Sequence, residues 1–522
     1  MTQRCGEKVP ARRAIAGTAL CCAVLLTLSA CGGGGGSEDA SGSTVKYGYD
    51  LSAQFTNTFN VAKSTGDCDQ VPFFMIYDSL MHWDGTKFSP GLAEKIETDA
   101  TTATITLRDG VTFQDGQPFD AEAVKAGLLE NKKNTQLDSL HKITSIDTPD
   151  AKTVVVHYKD DTIVDFVGAM SGRDGMIMAP GSYATADKKP VGAGPFRFAS
   201  FTAGDSIVLE KNPDYWDKGA YDFDGITFEA TGTGKDALTA VQAGGIDIAR
   251  LESDLIDDAQ RDGQLGVATR LSPAYLELQF RQSKAGNTPF DNVKVRQAMA
   301  MAIDKDKINA SIQAGAGQVA SQAFLEDSPA YDKSLKDRYP YDPVAARKLL
   351  TEAGYPNGFS FTMAIPGGGI QSMETQGALV QDMLKQIGIT ANITKILGSD
   401  IATNYYIKGG GDAFLAARLG SKSLTGSIDD LFSKYKFVST WNNSGRQDIT
   451  DLMTKAKTAP TPAERVRYVQ EANRIVVDNA LEIPIAFQPQ GLAYTKAKIG
   501  GKVLAQTDIC DPPDLSGLKV KG

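Results

Sequence analysis

The apolar period changes repeatedly along this chain of 522 residues. One uninterrupted apolar run, 14–28, follows Arg4, Lys8, Arg12 and Arg13. Beyond it, alternating or compact apolar runs predict strands over 44–49, 101–107, 152–158, 196–201, 206–211 and 224–230. Later runs of the same kind predict strands over 274–280, 359–365, 389–396 and 483–487. Apolar density or helical spacing predicts helices over 71–81, 120–129, 235–243, 292–303, 343–353 and 462–477, with a long one ending at Ile387. The punctuation agrees with this division. Asp120 and Glu122 stand at the positive end of one helix, and Gly354-Tyr355-Pro356 stops another. Asp109-Gly110, Asp115-Gly116 and Gly367-Gly368-Gly369 mark turns. Strands alternating with helices predict sheets covered by helices, an α/β architecture. No repeat at solenoid period is present.

A basic start, a short apolar stretch and small residues before a cleavage point describe an export signal. At 15 residues the run is too short for a first choice as a membrane span. Leu28-Ser29-Ala30-Cys31, followed by Gly32 to Gly36, resembles the lipobox of bacterial lipoproteins, whose cysteine becomes the lipid-bearing N-terminus. A plain secretory signal is the other reading. Residues 1–30 are expected as signal and 31–43 as a flexible tether, whose composition cannot bury a core. The remainder, 42% hydrophobic in the chain as a whole, suffices for two or three compact units. The leader carries four basic residues and Glu7; with −9 for the whole chain, the rest stands at −12. That acidic balance argues against nucleic acid, which requires basic patches for phosphate contact. No later apolar run approaches the roughly 20 residues of a membrane span, so the membrane enters only through the lipid. Of six cysteines, Cys5, Cys21 and Cys22 leave with the signal and Cys31 takes the lipid. Cys68 and Cys510 remain, and an oxidising compartment predicts a disulfide between them; two separate buried thiols are the alternative.

The punctuated stretches form a collinear series. It begins with Tyr77-Asp78-Ser79-Leu80, Trp83-Asp84-Gly85, Pro90-Gly91-Leu92-Ala93-Glu94 and Leu107-Arg108-Asp109-Gly110-Val111-Thr112-Phe113. Asp115-Gly116-Gln117-Pro118-Phe119, Val191-Gly192-Ala193-Gly194-Pro195-Phe196, Asn212-Pro213-Asp214-Tyr215-Trp216 and Ala243-Gly244-Gly245-Ile246-Asp247-Ile248 follow. Pro289-Phe290-Asp291, Val295-Arg296-Gln297-Ala298, Ala302-Ile303-Asp304 and Tyr341-Asp342-Pro343 complete it. In order and spacing these resemble the extracytoplasmic solute-binding proteins of the peptide, opine and nickel class, family 5, that serve ABC importers. Most are scaffold: glycines supply positive φ or close approach, and Pro118, Pro195 and Pro213 fix strand entry. The resemblance implies a periplasmic-binding-protein-like fold of type II, two lobes around a cleft with a hinge. It implies a first lobe over 44–273, of two subdomains and rejoined by 488–522, and a second over 274–487. Both chain ends then share one lobe, which suits a Cys68–Cys510 bridge. The implied partners are separate permease and ATPase subunits, with the chain acting as a monomer, lipid-anchored at the outer face of the cell membrane or in the periplasm.

Family members that bind peptides hold the ligand's amino group with an acidic residue after a Trp-x-x-Asp-like stretch. In the corresponding stretch here, Arg418 stands where the Trp is expected and Ser421 where the carboxylate is. A buried ammonium would lack its partner, so ordinary peptide recognition is not expected, and Arg418 is a candidate to offer bidentate donors to a ligand carboxylate or phosphate. An exposed Arg418, or one paired with Asp429 or Asp430, is the alternative. Gln371 and Ser372, after the glycine triplet, are expected at a helix start on the cleft edge, as contacts or as caps. Trp441 with Asn442 and Asn443 is a stacking candidate, and Tyr49 and Asp50 end the first strand at the cleft. No cofactor or metal is expected: His82, His141 and His157 show no ligand spacing. An exported hydrolase is the main alternative class. Ser433-x-x-Lys436 lacks its companion motifs, and Gly232-Thr233-Gly234-Lys235 lacks the earlier glycine of a phosphate loop. Within the family, a receptor for a metal chelate or a glycoconjugate is the other choice.

Overall fold

The computed structural model describes residues 43–521, apart from 52–54, 86, 100, 160–165, 233, 282–287, 314, 368–370, 398–400, 419, 433–445, 460 and 509. Cys31 and Trp441 lie outside the described residues. Among the described residues no helix is long and apolar enough to cross a membrane.

The first strand, Thr44–Tyr49, pairs in parallel with Gly225–Ala230 along its length and with Ile248–Leu251 at Tyr47 and Gly48. It belongs to an eleven-stranded mixed sheet that runs from Thr390–Leu397 at one edge to Phe196–Thr202 at the other. Two long strands, Leu265–Phe280 and Glu482–Thr495, hold its middle. They run antiparallel from the Leu265–Thr495 pair to the Gln279–Glu482 pair, with a register break between Leu271 and Tyr275. Each is longer than the 274–280 and 483–487 of the sequence expectation. The missing halves contain Ser272, Pro273, Pro489 and Gly491, residues that read locally as turn. In the sheet, Ser272 and Pro273 occupy the register break. Gly491 sits where a Cβ would press within 2.9 Å of Ile256.

These crossing strands join two separate apolar cores. One gathers side chains from Val45 to Ile248, with Leu492, Ile499, Ala505, Leu515 and Leu518 from the chain's end. The other runs from Tyr275 to Phe487. A second sheet, of Ala93–Thr98, Thr102–Leu107, Thr153–Tyr158 and Ile143–Asp147, packs into the first core. Local signals set several helix starts. The Asp120 side chain accepts from Ala123 N at 2.9 Å, opening Ala121–Asn131. Asp342 and Thr461 cap Pro343–Glu352 and Pro462–Asp478, both with proline in the first turn.

One helix is shorter than its pattern. The apolar stretch 71–81 forms a helix only over Gln70–Tyr77, and Met81–Trp83 is a strand. Asp78, at φ 56°, turns the chain there and buries its carboxylate. That carboxylate accepts from Tyr215 OH at 2.9 Å, Trp216 Nε1 at 3.1 Å and its neighbour Ser79 N at 2.7 Å. Continuing the helix would take the acid away from these donors.

Candidate functional site

Five chain segments meet in the gap between the two cores. Strand Ala413–Arg418 of the second core runs antiparallel to Leu265–Phe280, pairing Arg418 with Tyr275. The chain then passes Gly420, Ser421 and Lys422 on its way to the helix Gly426–Phe432. Across the gap lie Gln70 at a helix start, Gln136, Arg173, and the tail carrying Asp508, Cys510 and Asp511. Gly420 N donates to Asp508 at 2.9 Å, and Ser272 of the register break donates to the same carboxylate at 3.3 Å. Lys422 Nζ lies 3.1 Å from Asp511. The tail is held in place by a disulfide, Cys68–Cys510, which ties it to the turn before Gln70–Tyr77. Behind these contacts is a cavity of about 280 Å³, lined chiefly by Gln70, Gln136, Arg173, Lys422, Asp508 and Asp511. Arg173 is buried and fixed by donation to Ser64 Oγ at 2.8 Å and Gly66 O at 2.7 Å.

Arg418 is engaged inside the protein. Its guanidinium donates to Tyr275 OH at 2.9 Å and lies 3.6 Å from Glu482, and only 10% of its side chain is exposed. Tyr275 in turn donates to Glu482 at 3.2 Å. Glu277 lies beside them, fully buried, accepting from Gln279 Nε2. Burial first, then the Glu482 charge and a hydrogen bond with it, push the Glu277 carboxyl well above its ordinary range. Arg418, 3.6 Å from Glu482, is the cation beside this pair of buried acids. Arg418 thus takes Glu482 as its acidic neighbour, while Asp429 pairs with Lys457 at 2.8 Å.

The other sequence candidates are dispersed. Ser421 Oγ accepts from Ser423 N at 3.2 Å, within the turn before a helix. Gln371 and Ser372 begin the helix Gln371–Gln386, and Ser372 is half-buried. Tyr49 is buried with its hydroxyl donating to Cys68 O at 2.7 Å, a tie to the disulfide, and burial raises its pKa. Asp50 and Tyr49 line a niche with Thr231, Arg250, Gln506 and Asp511, the last of which also lines the cavity above. Lys422, Asp508 and Asp511 were not singled out in the sequence. The available signal was Cys510 itself, because two acids flank a cysteine expected to bridge to the other end of the chain. Among the described residues no group of three His, Cys, Asp or Glu side chains is arranged to hold a metal ion.

Two α/β cores, joined by two long strands and facing each other across a charged gap, define a two-lobed binding protein rather than a single-core domain. The comparisons agree. The family described as bacterial extracellular solute-binding proteins, family 5 (middle region), matches residues 87–438, and the chain belongs to it. The glutathione-binding protein GsiB of Escherichia coli K12 is 27% identical over 433 residues, 79% of this chain and 82% of that protein. The substrate-binding protein CtaP of Listeria monocytogenes superposes with a TM-score of 0.78 at 18% identity, covering 92% of this chain and all of that one. AgaA of A. tumefaciens R10, solved with agropinic acid, gives 0.74 at 23% identity over 92% and 99%. Proteins of this family work with ABC permeases and ATPases and bind peptides or other small molecules.

Proposed function

We propose that this chain is the lipid-anchored solute receptor of an ABC importer, holding a small peptide-like solute with an anionic group. The lobes in this reading are 44–273 with 488–522, and 274–487, and the solute sits between them. One observation carries it: the cavity between the cores is lined by charges of both signs, Lys422 and Arg173 against Asp174, Asp508 and Asp511. Such a lining suits a compact zwitterion, whose opposite ends each find a partner. The relative GsiB, named for binding glutathione, supports a small peptide-like cargo. Lipid on Cys31 keeps the receptor, a monomer, at the outer face of the membrane, where separate permease and ATPase subunits receive the solute.

Mass spectrometry of molecules co-purifying under native conditions identifies the cargo. A solute binding only the folded state, present at a hundred times its Kd, adds about 2.7 kcal/mol of stability. Thermal shift against small peptides, opines and nickel chelates should therefore single out one class. No shift with any of them or with a cell extract, or chemical turnover of the cargo, would overturn the reading. The anchor has its own readout: Cys31→Ala protein should appear in the medium, and the native membrane fraction should carry lipid on Cys31.

A further inference from the structure

A second cavity, also of about 280 Å³, lies beside the first, and both are lined by Lys422 and Asp511. Five aromatic side chains line it, Phe74, Trp83, Tyr215, Trp216 and Tyr221. Three basic side chains also line it, His82, Lys422 and Arg270. His82 faces the buried Asp78 carboxylate at 2.5 Å, and Lys422 faces Asp511 at 3.1 Å. Arg270 has no carboxylate within ion-pair distance among the described residues; it rests against Gly85, at φ 89°, where any Cβ would displace the guanidinium. The acidic lining groups are occupied locally. Asp511 takes Lys422, while Asp84, Asp217 and Asp514 accept from backbone N–H of Lys87, Gly219 and Ser516 at 2.9, 3.3 and 3.0 Å.

One further group is unpaired. Gln506 is 2% exposed, lines the cavity, and its Oε1 has no hydrogen-bond partner among the described residues. A buried amide without a partner is costly, and a half-buried guanidinium without an anion is costly as well. Both costs are relieved by one kind of guest: a flat apolar body between the rings, a carboxylate on Arg270, and a donor toward Gln506.

We propose that this cavity is a side chamber of the solute site, taking an aryl carboxylate arm, with the Lys422–Asp511 pair as the partition between chamber and cleft. The link to captured cargo rests on the receptor reading; the chamber itself is testable alone. The full chain, purified in detergent, is titrated with 3-phenyllactate, whose hydroxyl supplies the donor toward Gln506, with 1-amino-3-phenylpropan-2-ol as the charge-reversed control. Two of the three tryptophans of the chain line the cavity, so intrinsic fluorescence reports on it directly. The expected result is a saturable change with the acid and none with the amine. Arg270→Gln should weaken acid binding by about tenfold or more, as loss of a charge-assisted contact does. Gln506→Leu, which leaves every charge in place, should weaken it as well. Lack of saturation, equal response to the amine, or unchanged binding in both variants, with circular dichroism showing each folded, would overturn the chamber. If the acid binds as expected but no cargo competes with it, the chamber stands and the receptor reading fails.

Discussion

Asp78 shows how one residue can organise its surroundings. Burial alone would raise its pKa, but the His82 charge and hydrogen bond, with those from Trp216 and Ser79, bring it below its ordinary 3.8. The same contact holds His82 above its ordinary 6.5 although burial opposes it. The pair's contribution is therefore complete between those two values. It is lost as pH falls through the lowered Asp78 pKa, and lost as pH rises through the raised His82 pKa. Asp78→Asn should cost about 3–5 kcal/mol near pH 6 and flatten the melting temperature below pH 4. Glu277 has the opposite sign for an acid. Its raised pKa means the folded state keeps a proton that the unfolded chain has released, so stability declines as pH rises above the ordinary 4.5. Glu277→Gln keeps the hydrogen bonds and removes the proton. Its melting temperature should fall less between pH 5 and 9 than that of the parent, a comparison calorimetry makes directly.

At the level of elements, the crossing strands and the tail are what set the two cores against each other. The tail offers two ties to the second core, Asp508 to Gly420 N and Asp511 to Lys422, the latter with both side chains less than a quarter exposed. Losing a pair of this kind costs about 1 kcal/mol, enough to change an open-to-closed ratio about fivefold. Lys422→Met is accordingly expected to enlarge the radius of gyration of the unliganded protein in small-angle scattering, with its melting temperature nearly unchanged. No change in that radius would mean that the crossing strands alone set the angle. The Val191-to-Pro195 punctuation has a different role. A Cβ on Gly194 would lie 2.6 Å from the Ile76 carbonyl carbon, against the helix that Asp78 terminates. Gly194→Ala should therefore destabilise by about 1–3 kcal/mol as an overpacking change, measured by urea titration.

For the whole molecule, the Cys68–Cys510 bridge closes 442 residues of sequence separation. In a chain-entropy account its removal costs about 2–5 kcal/mol. The Cys68→Ser, Cys510→Ser double variant should melt lower and, because the bridge holds the Asp508–Asp511 tail, should also bind cargo more weakly. Binding equal to the parent at temperatures where both are folded would confine the bridge to stability.

The sequence by itself determined many of the longer strands and helices, the family, and the Cys68–Cys510 pair, while Ala93–Thr98, Ile143–Asp147 and Ala413–Arg418 escaped it. Those properties are written in local periods, caps and turns, and in motifs whose spacing survives without knowledge of the fold. It shortened both crossing strands, because Pro273, Pro489 and Gly491 read locally as turns. It also put Arg418 forward as a ligand contact, whereas the tertiary structure gives that side chain the Glu482 carboxylate and Tyr275 as partners. Only the tertiary structure decided that Lys422 meets Asp511, that Gly420 meets Asp508, and that Arg270 and Gln506 share a cavity with Trp83 and Trp216. The reason is physical. A charge or an amide acquires its cost and its use from the groups that burial places around it, and here those groups come from segments hundreds of residues apart.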